Sequence, residues 1–391
     1  MTWLLQRLFG RLPIGWLQLS HRKARLAAAA SGIAFANLLV FMQLGILGAM
    51  KTALMAPYGF FDADIMISSK DANTLTDGSN VARTRLFQAL DVPGVASGAL
   101  LFIGNLEFRL PDGTSSVLQT FALKPEDSDF VVPALAGQFD RLKIENTALI
   151  DTATRGVAPE VFDELKAGKP FPFEVSGRTL TAVGTLQIGG SFAADGTLFV
   201  SDQTFLRFFG NRSSSAPNHI LLKVDDGVSV DVVLARLQTV LPADVVTARS
   251  ISEFANADFT YQTTERPVGI IFGFGVIIGI IIGIVILYQV LSNDVANHLP
   301  EYATFKAMGY GQKFFLGIVL EEAVILGIFG FIPGFLVAQG LYFAMRTATG
   351  LPLNMEFSRI VMVFLGTLAA SALSGAIATR RLAAADPVDL F

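Results

Sequence analysis

The chain has 391 residues, is 52% apolar and only 16% charged, and carries a formal charge of −4. That balance is too apolar for a soluble domain of this size and points to a membrane protein. The absence of cysteine excludes disulfides, thiolate metal sites and cysteine nucleophiles, and no basic, aromatic-interleaved patch invites nucleic acid.

Residues 1–25 read as an amphipathic, basic N-terminus on the cytoplasmic side. Leu4, Leu5, Leu8, Leu12 and Ile14 can cover one helical face, with Trp3 and Trp16 beside them and Arg7 and Arg11 interspersed. An interfacial helix lying on the membrane is the expected element, ended or kinked by Pro13. The cluster His21, Arg22, Lys23 and Arg25 then precedes an uncharged run of 25 residues, Leu26 to Met50, within the first span at 26–55. The run is long for the apolar core of a cleaved signal peptide, so a retained anchor with a cytoplasmic N-terminus is expected.

Texture changes over 56–266, which hold 26 of the 33 acidic and 17 of the 29 basic residues. Strand-like stretches at Asp62–Ser68, Gly98–Leu110, Val117–Leu123, Ala148–Asp151, Phe171–Ile188, Thr197–Ser201, Ile220–Val224 and Val245–Ala248 alternate with helical ones. The helical stretches are Asn80–Leu90, a short one through Phe208, and Val228–Val240. This predicts an α+β domain inserted between two spans, with an inner subdomain from 56–107 plus 210–266 and a β-rich insertion over 108–209.

The second span, 267–291, holds 24 uncharged residues from Val268 to Leu291, with Gly275, Gly279 and Gly283 one turn apart. Such a stripe suits close helix packing, within the chain or between copies. A polar loop at 292–313 leads to the third span, 314–345, which contains Glu321, Glu322, Gly327, Gly330, Pro333 and Gly334. Carboxylates are costly in lipid, so this pair must face protein or water. It serves either as a gating or subunit contact, or as a buried partner for Arg25, Arg380 or a backbone group. A short outer loop at 346–357, a small-residue fourth span at 358–380 and an inner tail at 381–391 complete the chain.

Four spans place both termini and the 292–313 loop in the cytoplasm. The inner segments and span ends carry Arg7, Arg11, Arg22, Lys23, Arg25, Lys306, Lys313, Arg380 and Arg381, against Arg346 in the short outer loop and Arg359 at the outer end of the fourth span. In the inner loop Pro300 suits a first helical turn, Glu301 favours its N-terminus and Gly309 ends it after about two turns. That helix is either a surface on which a cytoplasmic subunit pushes or a solvated connector.

No phosphate-binding glycine loop, H-E-x-x-H or G-x-S-x-G occurs; Gly168-Lys169-Pro170 lacks the flanking glycines and the Ser or Thr of a nucleotide site. His21 and His298 fall at the cytoplasmic edge of the membrane and His219 in the outer domain, so the three cannot share one site. The chain is therefore expected not to be an enzyme and to bind no cofactor or metal itself.

The stretch E-Y-A-T-F-K-A-M-G-Y between the second and third spans resembles the coupling segment of MacB/FtsX-type ABC transporter permeases. Glu322-Ala323 followed by Gly327, Gly330 and Gly334 resembles that family's third span. Ala378, Arg380, Asp386, Pro387, Val388 and Leu390 match its C-terminal motif. Within the family, D-V-A-N-H-L-P-E-Y-A-T-F-K-A-M-G-Y, S-K-D-A-N-T-L-T at Ser69–Thr76 and P-G-V at Pro93–Val95 are similar to the DevC-like subgroup, known for exporting heterocyst glycolipid.

The resemblance implies an α-helical membrane protein of the type VII ABC, MacB-like class, with four transmembrane helices and an α+β extracytoplasmic domain between the first two. It implies a coupling helix formed by Glu301, Tyr302, Phe305, Lys306, Ala307, Met308 and Gly309. Packing or gating falls to Gly275, Gly279, Gly283, Glu322, Gly330 and Gly334. The implied partners are a DevA-like ATPase dimer that supplies the ATP, a second permease copy, a periplasmic membrane-fusion adaptor, a TolC-like outer-membrane channel and a lipid or glycolipid substrate, at a bacterial inner membrane. Two rival roles within the family are control of a cell-wall hydrolase, as in FtsX, and lipoprotein or drug transport, as in LolC or MacB. The large two-part outer domain favours the exporter.

Overall fold

The computed structural model describes residues 14–21, 23–109, 115–189 and 194–384. Of the expected N-terminal interfacial helix, Ile14–His21 is helical, while Leu4, Leu5, Leu8 and Leu12 lie outside the described residues. The chain divides into two compact units. One comprises 1–48, 270–345 and 353–391; the other comprises 49–269 and 346–352.

Among the described residues, four helices are long and apolar enough to cross a membrane: Lys23–Phe60, Pro267–Asn297, Gln312–Thr349 and Phe357–Thr379. A helix satisfies its backbone polar groups internally, which is what a segment in hydrocarbon must do. Glycines set how closely these spans approach. A Cβ at Gly334 would lie 2.7 Å from the carbonyl oxygen of Ala34, and one at Gly279 would lie 2.9 Å from Val40 Cγ2. The first span is therefore gripped by glycine-bearing faces of both the second and the third.

Among the described residues, the other unit is built on nine strands in the order β3-β7-β4-β6-β5-β2-β8-β1-β9, with a further β3–β2 pairing. The strands are β1 Ile65–Ser69, β2 Val95–Arg109, β3 Ser115–Leu123, β4 Thr147–Asp151, β5 Phe171–Val175, β6 Arg178–Leu186, β7 Gly196–Ser201, β8 His219–Val224 and β9 Val246–Ser250. β1 runs antiparallel between β8 and β9. β2 is 15 residues long because it serves two partners in succession. Val95 to Leu101 pair with β8, and Phe102 to Arg109 pair with β3. A single bridge, Phe108 to Val175, joins β5 to β2. It closes β2, β3, β7, β4, β6 and β5 into a six-stranded ring, so these strands leave no open edge.

Strand side chains alternate between faces, and here both faces are apolar. Ile65, Ile67, Leu100 and Phe102 enter one core, while Met66, Ala99, Leu101 and Ile103 enter the other. Much of the phenylalanine content is spent in these cores. Phe121, Phe139 and Phe199 pack ring on ring at 5.6–6.0 Å, and Phe209 stacks on Phe205 at 4.1 Å. Phe208 and Phe209 accordingly pack against the domain core. Helix Ile251–Thr264 begins at a full capping box, with Ser250 and Glu253 satisfying each other's backbone N–H. Short helices at Pro133–Ala136 and Pro159–Lys166 were not foreseen in the sequence; each is a turn or two opened by proline.

His219, the first residue of β8, is 1% exposed, and its Nε2 lies 2.9 Å from the carbonyl oxygen of Leu75. Burial lowers its pKa from 6.5 to about 4. The unfolded chain therefore binds a proton that the folded domain refuses between those two values, and stability falls as pH drops through that window. The loss reaches about 3 kcal/mol at its lower edge. Above pH 6.5 both states hold the ring neutral and the effect vanishes. Asp258, pushed up by burial, pulls the opposite way, so the measurement is the difference between wild type and His219→Gln. Denaturant unfolding across this pH range should show the wild-type slope flattened in the variant.

Candidate functional site

Leu299–Ala307 forms a helix with Pro300 in its first turn, Glu301 near its N-terminus and Lys306 in its last turn. Gly309, at φ +92°, takes the left-handed conformation that glycine adopts without strain. Proline at the entry and glycine past the exit fit the orphan backbone groups at each end.

The two sides of this helix do different work. Tyr302 is 1% exposed and packs edge-on against Phe315 at 5.6 Å. Desolvation pushes its hydroxyl pKa up, so it remains a protonated donor. Phe305 lies against Tyr310 at 5.7 Å and Phe314 at 5.9 Å. Glu301, Ala307, Met308 and Gly309 face outward; Met308 is 60% exposed and Tyr310 is 45% exposed. Lys306 is half-buried. The seven loop residues thus divide into an anchor, Tyr302 and Phe305, and an outward tip around Met308.

The N-terminal helix contributes contacts that the sequence did not reveal. Gln18 Nε2 donates to Glu301 at 3.3 Å, and the Trp16 backbone N–H donates to Glu321 Oε1 at 3.3 Å. Trp16 also stacks on Phe329 at 5.8 Å. This short helix therefore touches both the loop helix and the third span. Glu321 and Glu322 are 2% and 0% exposed. Arg25, one of the partners considered for them, instead pairs with Asp294 at 3.2 Å. Asp294 lies 3.5 Å from His298 Nδ1. A lone acid at the end of a long apolar run was the available signal for Asp294, but nothing in the sequence named its mate.

Gly275, Gly279 and Gly283 face Gln43, Val40 and Ala36 of the first span, and Gly330 and Gly334 face Ile33 and Ala34. All five therefore pack within the chain. A cavity of about 280 Å³ remains between the first, second and fourth spans, lined by residues such as Ile33, Val40, Gly283, Val363 and Thr367. Thr367 Oγ1 lies 2.6 Å from Asn37 Oδ1 there. Arg380 lies in helix Phe357–Ala384, and Asp386 and Pro387 fall outside the described residues. Among the described residues, no group of three or more His, Asp or Glu could hold a metal ion.

Residues 273–387 match the family described as FtsX-like permease C-terminal. The match runs from within the second span through the loop helix and both later spans. Among solved structures, the periplasmic region of MacB from Actinobacillus actinomycetemcomitans overlaps 51% of this chain and 93% of its own length, at 13% identity and a TM-score of 0.35. The extracellular domain of the noncanonic ABC-type transporter YknZ from Gram-positive bacteria overlaps 48% of this chain and 98% of its own, at 8% identity and a TM-score of 0.34. No curated protein sequence matches the chain. With four spans, an α+β domain inserted between the first two and a region at 273–387 that matches the FtsX-like permease C-terminal family, the chain is a multi-pass membrane protein that carries an FtsX-like permease region.

Proposed function

We propose that the chain is the permease subunit of a tripartite exporter, driven by mechanotransmission from a separate ABC ATPase. The observation that carries this reading is the divided loop helix. Its inner side is anchored on Phe315 and its exposed tip at Met308 is free to bear load. Force applied at the tip enters the second span through the helix's own chain connection and the third span through Tyr302. The ATPase dimer, of DevA type, binds and hydrolyses the ATP. Glu301, Lys306, Ala307, Met308 and Gly309 contribute the contact, and a second copy of the chain completes a symmetric assembly.

The cargo class is a glycolipid or another amphipathic molecule, as in the DevC-like subgroup. A periplasmic membrane-fusion adaptor and a TolC-like channel carry it onward. The support for this finer reading is the sequence resemblance together with the size of the outer domain. Affinity purification of the full chain from its native membranes tests it, with bound proteins and lipids identified by mass. An ABC ATPase and an adaptor are the expected companions. Recovery of a cell-wall amidase in place of the adaptor would move the assignment to hydrolase control, and absence of any ATPase would sink it.

A further inference from the structure

Three segments of the inserted domain converge on one carboxylate. Asp258, 3% exposed, lies along helix Ile251–Thr264, which ends two residues short of the second span's start at Pro267. Its Oδ2 accepts the hydroxyl of Tyr58 at 2.7 Å and the backbone N–H of Leu75 at 3.1 Å. Tyr58, 5% exposed, stands in the tight turn Ala56–Phe60 that closes the first long helical segment, Lys23–Phe60. Leu75 belongs to the loop leaving β1, whose S-K-D-A-N-T-L-T sequence has no part in the loop-helix argument.

That loop is braced along its length. Asp77 Oδ1 accepts the N–H groups of Asn73 and Thr74 at 2.9 and 2.7 Å, and Asp71 accepts both the N–H and the hydroxyl of Ser79. The carbonyl of Leu75 meets His219 at the start of β8. A second tie runs from Arg266, at the threshold of the second span, to Asp77 at 3.5 Å. A pull on the loop therefore reaches β1 through the chain and β8 through His219. A buried carboxylate is an expensive way to fill space, since an apolar side chain would pack there without a desolvation cost. What it supplies instead is two directional hydrogen bonds to separate segments.

We propose that Asp258 is a positioning residue, the pin of a three-way joint. It ties the exit of the first span and the entry helix of the second to the Ser69–Ser79 loop, so that displacement of either connector passes to β1 and β8 as one movement. The joint's purpose rests on the mechanotransmission reading; its geometry does not.

The chain has no cysteine, so Gly59→Cys and Thr260→Cys provide the sole labelling sites. A Cβ at Gly59 meets nothing within 4 Å, and Thr260 is exposed. In the full chain in lipid nanodiscs, spin labels at these positions should give one narrow distance distribution. Asp258→Ala and Tyr58→Phe should each lose that narrow peak. Tyr58→Phe retains the ring beside Phe254, 6.1 Å away, which protects the fold if Asp258→Ala does not assemble. A narrow peak unchanged in both variants overturns the joint.

In the complete complex, Tyr58→Phe should hydrolyse ATP at the wild-type rate while transport is lost. A structural defect alone would lower both together, and that result overturns the transmitting role. Failure of the mechanotransmission reading would show separately, as hydrolysis and transport that are already unlinked in the unmodified complex.

Discussion

Replacing Met308 by Asp is expected to reduce permease-linked stimulation of the ATPase by about 30-fold or more, the effect of losing a central contact worth about 2 kcal/mol. Met308 is 60% exposed, so the change removes apolar surface from the contact without touching a core. Thermal stability of the isolated permease should stay within about 0.5 kcal/mol of wild type. Tyr302→Ala is the informative contrast. Tyr302 is 1% exposed and seated on Phe315, and truncating a buried aromatic costs about 3–5 kcal/mol. That variant should lose stimulation and stability together. Steady-state ATPase assays of the reconstituted complex, set beside thermal unfolding of the permease alone, separate the two. Unaltered stimulation in Met308→Asp would remove the loop helix as the point of contact.

Gly330→Leu should cause the largest loss of membrane-unit stability. A Cβ at this position would lie 2.5 Å from Ile33 Cβ and 3.2 Å from the carbonyl oxygen of Ala30. The obstacle is a β-branched side chain next to main chain, neither of which can turn aside. The third span must then back away from the first, forfeiting the neighbouring contact at Gly334 as well. Overpacking of this kind costs about 1–3 kcal/mol, and leucine adds further bulk to the clash. Gly340, in the same helix, has nothing within 4 Å of an added Cβ. There Gly340→Ala should be neutral or stabilising by up to about 1 kcal/mol through helix propensity. Thermal unfolding in detergent with size-exclusion profiles would report both. Equal behaviour of the two variants would contradict the glycine-mediated contact.

The spans were legible in the sequence because hydrocarbon imposes a single rule on every segment that crosses it: long, apolar and internally hydrogen-bonded. The loop helix was legible for a local reason, since Pro300 and Gly309 punctuate it within ten residues. The strands of the outer domain were visible as apolar runs, but their partnerships were not. Nothing in Phe108 or Val175 announces that they meet and close a ring, because register and closure depend on segments far apart in the chain.

The orientation of the loop helix was likewise hidden. Tyr302, Phe305 and Met308 are all apolar enough to face inward, and composition does not choose among them. Their packing against Phe315 and Phe314 does. Long-range polar pairs were beyond reach for the same reason. Arg25 finds Asp294 rather than the glutamates of the third span, and Tyr58 finds Asp258 across 200 residues. By itself the sequence determined the four spans, the inserted α+β domain and the position of the loop helix, because each follows from local hydropathy, capping and periodicity. Tertiary structure alone decided which side of that helix is anchored, which glycines meet which span and which carboxylates are joined to what. Those outcomes depend on side chains brought together only when the whole chain is packed.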